Sequence, residues 1–190
     1  MGARQAIHVR HDEGLSELDG QMLLGLGGEA EDADELFGRA EAAEAAGRHA
    51  EAAELYARCL AGDPGDAVAA FNRANCLTAA DRGAEAEAEL ARALKLDPGF
   101  VEAWFNLACA VAGRGRADAA RGFLNRAITL DPDYADAVFN LAKLEFDAGD
   151  LPAARRWWVR YLELDADSAW ARKAARGIRF VDLQLARDAG

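Results

Sequence analysis

Histidine, cysteine and aromatic residues are scarce in this chain of 190 residues, and each scarcity closes off a class of protein. The three histidines are His8, His11 and His49. No Ser/His/Asp or Cys/His arrangement surrounds them, so no catalytic set is expected, and His8 and His11 lack the further ligands that a metal would require. The three cysteines, Cys59, Cys76 and Cys109, form an odd set without CxxC spacing. That excludes a disulfide framework closed within one chain and suits a reducing cytoplasm. Aromatics make up 8%, and Val and Ile are sparse beside Ala, which excludes an all-β core and favours close helix packing. The longest apolar stretch of the N-terminal part, Met22-Leu23-Leu24-Gly25-Leu26, is too short for a signal core or a membrane span. Ala6 stands where a myristoylation signal wants Ser or Thr. No glycine-rich phosphate loop follows a strand, and no cofactor is expected. The net charge of -11 argues against nucleic acid or an anionic membrane surface as partner and favours a neutral or basic one. Only the end of the chain is basic: residues 1–32 sum to -5, 33–168 to -9 and 169–190 to +3.

What the chain does have is a period. Leu96-Asp97-Pro98 returns 34 residues later as Leu130-Asp131-Pro132. Gly62-Asp63-Pro64 and Leu164-Asp165-Ala166 extend the register, giving four units, 33–66, 67–100, 101–134 and 135–168, without insertion. Position 8 of the units is Ala40, Ala74, Ala108 and Ala142; position 20 is Ala52, Ala86, Ala120 and Ala154. Gly47, Gly115 and Gly149 at position 15, with Asp81-Arg82-Gly83 in the second unit, break each unit into two helices by offering a left-handed C-terminal cap. Proline at position 32 stops the second helix. The invariant alanines let the paired helices approach closely, while Tyr56, Leu90, Leu124 and Trp158 fill position 24.

This pattern resembles the tetratricopeptide repeat family, in which Trp, Leu, Gly or Ala, Tyr, Ala, a large aromatic, Ala and Pro recur at fixed positions. The third unit matches best, with Trp104, Leu107, Ala108, Val111, Ala120, Leu124, Ala127 and Pro132. Departures are Arg39 and Arg73 at position 7 of the first two units, and Glu145, Tyr161 and Ala166 at positions 11, 27 and 32 of the fourth. The resemblance implies an all-α fold, a right-handed α-α superhelix or solenoid of four helix-turn-helix repeats whose first helices line the concave face.

Residues 169–190 show one apolar side and read as an amphipathic helix capping the last repeat, with Arg172, Lys173, Arg176 and Arg179 facing water. Residues 1–32 are acidic, punctuated by glycine and without sustained period, and are expected to be mostly disordered. Met22–Leu26 is alternatively a makeshift cap on the first repeat, or an occupant of the groove of its own or another copy. Trp157 and Trp158 are adjacent on one helix and cannot share a core; Trp158 takes position 24, and Trp157 is expected to pack under the terminal helix or to mediate self-association.

Two columns are candidates for ligand binding. Position 5 is Phe37, Phe71, Phe105 and Phe139; position 6 is Gly38, Asn72, Asn106 and Asn140. The resemblance places position 5 in the concave groove, joined at position 9 by Asn75, Cys109 and Lys143. A carboxamide both donates and accepts, so a row of Asn suits capture of an extended peptide backbone. Helix packing and local hydrogen bonding are the other use of these columns. Members of the family that grip a C-terminal carboxylate do so with basic residues, and the corresponding places hold Glu41, Glu102 and Asp136 here, so that mode is excluded. Cys109 lacks a recognisable base.

The expectation is a non-enzymatic, cytoplasmic protein-protein adaptor. Its alternatives are a homo-oligomeric assembly module, or the effector part of a regulator resembling those in which repeats follow a MerR-like DNA-binding domain, without that domain. Packing alone gives a first prediction: Ala108→Leu should overpack the helix pair and lower stability by about 1–3 kcal/mol. Phe105→Ala should cost less if Phe105 is a groove residue, and equal, large losses would place it in the packing instead. Denaturant unfolding of the two variants compares them.

Overall fold

The computed structural model describes residues 32–188; the expectations above for residues 1–31, Met22–Leu26 among them, lie outside the described residues. Among the described residues there are nine helices and no strand: α1 Ala33–Ala45, α2 His49–Gly62, α3 Ala67–Ala79, α4 Gly83–Leu96, α5 Val101–Ala112, α6 Ala117–Leu130, α7 Ala135–Asp147, α8 Leu151–Leu164 and α9 Ala169–Asp188. Each helix packs on the next in chain order, most extensively within the pairs α1/α2, α3/α4, α5/α6 and α7/α8, and α9 packs on α8. The fold is an all-α helical repeat solenoid.

The first helix of every pair ends in the same way. Gly47 N–H donates to the Glu44 carbonyl and Arg48 N–H to the Ala43 carbonyl, and the same two bonds recur from Asp81 and Arg82, Gly115 and Arg116, and Gly149 and Asp150. This closure satisfies carbonyls that the helix leaves open and requires one left-handed residue. Gly47, Gly115 and Gly149 supply it at φ 73°, 75° and 83°. In the second pair, where Asp81-Arg82-Gly83 substitutes, Asp81 itself takes φ 60° and Gly83 opens α4.

The second helices also end alike. Asp63, Asp97, Asp131 and Asp165 are their C-caps, and each carboxylate accepts the N–H two residues on, at 2.9, 2.8, 3.0 and 3.3 Å. An aspartate that turns the backbone through its own side chain does so whether or not proline follows. This accounts for the fourth pair, where Ala166 replaces proline without loss of the turn.

Ala40, Ala74, Ala108, Ala142, Ala52, Ala86, Ala120 and Ala154 are all buried, as are Tyr56, Leu90, Leu124 and Trp158 opposite them. Two of the departures from the apolar pattern bring their own counter-charge. Arg73 on α3 reaches Glu89 on α4 at 2.5 Å. Glu145 on α7, 8% exposed, is held by Arg121 of α6 through Nε at 2.8 Å and Nη2 at 3.2 Å. A buried carboxylate is tolerated when its partner is fixed on the neighbouring helix with this two-pronged geometry.

On α9, Ala171, Ala174 and Val181 are buried, while Arg172, Arg176 and Arg179 are exposed. The tryptophan that meets α9 is Trp158: a Cβ on Gly177 would stand 2.6–2.8 Å from its ring carbons. Trp157, also expected there, is half-buried between the core of Leu124, Ala127, Ala137 and Leu141 and the one that holds Ala171, Ala174 and Val181 of α9. The reason is geometric, because only a glycine leaves room for an indole at position 24 to reach the next helix. No helix among the described residues is long and apolar enough to cross a membrane.

Glycine to alanine within a helix ordinarily raises stability by about 1 kcal/mol. Gly122→Ala on α6, where a Cβ meets nothing within 4 Å, should follow that rule. Gly177→Ala should reverse it and destabilise by about 1–3 kcal/mol through the clash with Trp158. Chemical denaturation of both variants beside the wild type measures the signs.

Candidate functional site

The phenylalanine column is built into the junctions between pairs. Phe71 packs on Phe100 with ring centroids 4.6 Å apart, and Phe105 packs on Tyr134 edge to face at 5.5 Å. Phe139 meets Tyr161 at 5.1 Å and Trp170 at 5.0 Å. Phe37 meets Tyr56 at 5.3 Å. All four phenylalanines are half-buried. Sequence reasoning missed the partners Phe100, Tyr134 and Trp170. A signal for the first two was present, since they stand 34 residues apart at the last position of their units. Where that position is Asp66 or Ser168, the side chain caps the following helix instead, accepting from Ala69 N–H at 2.9 Å, or from Trp170 and Ala171 N–H at 3.0 Å. Phe100 and Tyr134 leave α5 and α7 without a side-chain cap. The same position thus either caps a helix or covers a ring.

The asparagines divide into two groups. Asn72 Nδ2 donates to Tyr56 Oη at 3.4 Å, and that hydroxyl donates to Glu44 at 3.1 Å, which ties Asn72 into a network joining α1, α2 and α3. Cys76 is buried in the same place, and its thiol is pushed up to about 12, by burial first and then by Glu44. Asn106 and Asn140 belong to the open face. Asn106 Nδ2 donates to Asn75 Oδ1 at 2.8 Å, bridging α5 to α3, and Asn140 Nδ2 donates to the Asp136 carbonyl of its own helix at 2.8 Å. The Asn75–Asn106 bridge uses one donor and one acceptor and leaves the amide N–H groups of Asn75 and the carbonyl of Asn106 for a ligand.

Two adjoining cavities lie along this face. One, of about 370 Å³, is lined by Asn75, Thr78, Ala79, Asn106, Cys109 and Ala110. The other, of about 270 Å³, is lined by Ala108, Cys109, Ala112, Gly113, Leu124, Asn140, Lys143, Leu144 and Asp147. Cys109 belongs to both. The candidates Asn75, Asn106, Cys109, Asn140 and Lys143 are therefore brought together, whereas Phe71, Asn72, Phe105 and Phe139 lie in the packing between helices. Phe37 lines a third cavity of about 660 Å³ at the first pair, with Ala33, Asp34, Leu36, Cys59, Asp63 and Asp66 among its walls. Thr78, Ala112, Gly113 and Leu144 complete the two adjoining cavities.

The face is acidic. Lys143 is paired with Asp147 at 2.6 Å, which cancels its charge, and Glu102 and Asp136 are exposed nearby on α5 and α7. Cys109 is exposed on this face, and its thiol is pushed above its ordinary range, by partial desolvation among the surrounding groups first and then by the Asp136 carboxylate. Among the described residues no group of three His, Cys, Asp or Glu side chains is placed to hold a metal ion.

The model of the tetratricopeptide repeat family matches residues 43–110 and 111–177, more than two thirds of the chain. The chain belongs to that family. Comparison with curated protein sequences finds no match. Among solved structures, the chain is similar to MamA, with 20% identity and a TM-score of 0.72 over 78% of this chain and 80% of that one. It is also similar to YrrB, described as a TPR protein with an unusual peptide-binding site, with 19% identity and a TM-score of 0.69 over 84% of this chain and 80% of that one. A third is the first TPR of Spaghetti (RPAP3) bound to an HSP90 peptide, with 22% identity and a TM-score of 0.57 over 63% of this chain and 95% of that one. At these identities the likeness is one of fold.

The thiol predicts a pH dependence. Alkylation of Cys109, followed by mass spectrometry, should rise with a midpoint above the ~8.5 of a free cysteine, because the folded protein disfavours the thiolate. Asp136→Asn removes a like charge and should move that midpoint down.

Proposed function

We propose that the chain is a non-enzymatic interaction adaptor that holds an extended, neutral or basic segment of another protein along α3, α5 and α7. In this reading residues 33–168 act as four repeat units and α9 closes the end of the stack, covering α8 with Ala171, Ala174 and Val181 and turning Arg172, Arg176 and Arg179 to solvent beside the exposed Trp170, Phe180 and Leu183. The observation that carries the proposal is the Asn75–Asn106 bridge at the floor of a cavity that continues, through Cys109, into a second one. One donor and one acceptor at adjacent sites match one peptide unit, whatever its side chain. The apolar walls Ala110, Ala112 and Leu144 supply contact area, and the surrounding carboxylates favour Lys or Arg in the ligand. Two proteins of the same fold support the class of ligand, one described by its peptide-binding site and one holding an HSP90 peptide. The acidic Asp136 and Glu102 distinguish this face from one built for a terminal carboxylate.

The test is a peptide array probed with the wild type and with Asn75→Ala/Asn106→Ala, after circular dichroism has shown equal helicity. Basic and neutral peptides should bind the wild type and lose at least about tenfold in affinity with the variant, as expected when two hydrogen bonds to the peptide backbone are removed. Undiminished binding would remove the groove from the function. A mass that rises with concentration in the absence of peptide would favour self-assembly.

A further inference from the structure

The position-5 phenylalanines are not equally covered. Phe71 and Phe105 are covered by Phe100 and Tyr134, and Phe139 by Trp170. At the first junction the corresponding residue is Asp66, whose carboxylate is turned to cap α3, and among the described residues the ring contact of Phe37 is with Tyr56 of its own pair. A cavity of about 660 Å³ is bounded here by Phe37, Leu36, Ala33 and Asp66, the residue that stands at the repeat position of Phe100 and Tyr134.

We propose that this cavity is filled by the chain's own Met22–Leu26. The helix that follows the segment begins at the cavity: Ala33 and Asp34 are part of its wall, and the chain enters through Asp32, which caps α1 by accepting Asp34 N–H at 3.0 Å. Leu26 precedes Ala33 by seven residues, a path of up to about 25 Å when extended, and Gly27-Gly28 within it allow the reversal that returns the segment to the wall. The run Gln21–Gly28 is uncharged and offers Met22, Leu23, Leu24 and Leu26. Four apolar side chains suit a volume within the roughly 300–1,000 Å³ that holds a small ligand, and far exceed what Phe37 could bury alone. The lining carries Asp34, Asp63 and Asp66 against Arg58, a net acidic wall that would resist an anionic occupant, and this stretch adds no charge. Its tether gives it an effective concentration on the order of millimolar, above that of a free partner. Phe37 then serves the inside of the chain, and the ligand groove begins at α3.

Cys59 lines the same cavity and reports on it. In the full chain, alkylation by iodoacetamide is read at Cys59 by mass spectrometry for the wild type and for Leu23→Asp/Leu24→Asp, two substitutions that lie outside every described helix. The variant should react about tenfold faster at Cys59, with the wild-type protection independent of protein concentration. Equal rates overturn the proposal. Protection that fades on dilution assigns the segment to a second copy, and protection that appears only when a Lys- and Arg-rich peptide is added assigns the cavity to an external ligand; both overturn it. Asp66→Tyr restores the ring found at the other junctions and should expel the segment. Hydrogen exchange over residues 22–26 should be slowed about tenfold in the wild type and lose that protection in the variant. Free exchange of those amides in the wild type overturns the proposal independently of Cys59.

Discussion

The close approach of paired helices at alanine is the constraint on which the rest of this molecule depends. Two columns of side chains with a single methyl allow the backbones to meet, and every larger residue is arranged around that contact: Tyr56, Leu90, Leu124 and Trp158 fill the space opposite. Because the helices are short, the ends matter as much as the seam. Each first helix must stop at the same residue to keep the alanines in phase, and the repeated left-handed closure at Gly47, Asp81, Gly115 and Gly149 enforces that length.

Contacts between pairs reach only to the neighbour. Arg82 meets Glu54, Arg114 and Arg116 meet Glu87, Arg160 meets Asp133, and Arg155 meets Asp182, each 27–29 residues away in sequence and so on an adjacent unit or on α9. Arg92 and Arg160 donate to the Pro64 and Pro132 carbonyls of the preceding turn. Stability in such an array is close to a sum over adjacent interfaces, so a change at one junction is felt there and at the next. Exposed ion pairs of this kind contribute little individually and serve more to fix the register than to add stability.

The architecture was legible because the period is uninterrupted. The alanine columns, the glycine breaks and the Asp-Pro stops specify local geometry that depends on few distant partners. What escaped was pairing across helices. Arg73 and Glu145 read as flaws in an apolar column, and only the fold brings Glu89 and Arg121 to them. Gly177 carries no sequence sign of an indole waiting on another helix. At the candidate site the asparagine column looked uniform, yet Asn72 is engaged by Tyr56 while Asn106 bridges to Asn75, because the residues facing them differ from junction to junction. A repeat sequence states which positions are equivalent, but not what each position meets.

The alternation at the last position of the units has a consequence for how the array comes apart. Phe100 and Tyr134 clamp the two central junctions with ring contact, an apolar bond indifferent to ionic strength, while Asp66 gives the first junction a charge at a helix terminus, which salt screens. Salt therefore reaches the cap of α3 at the first junction and not the rings of the next two, while the buried core from Leu36 to Ala93 still joins α1 and α2 to the helices that follow.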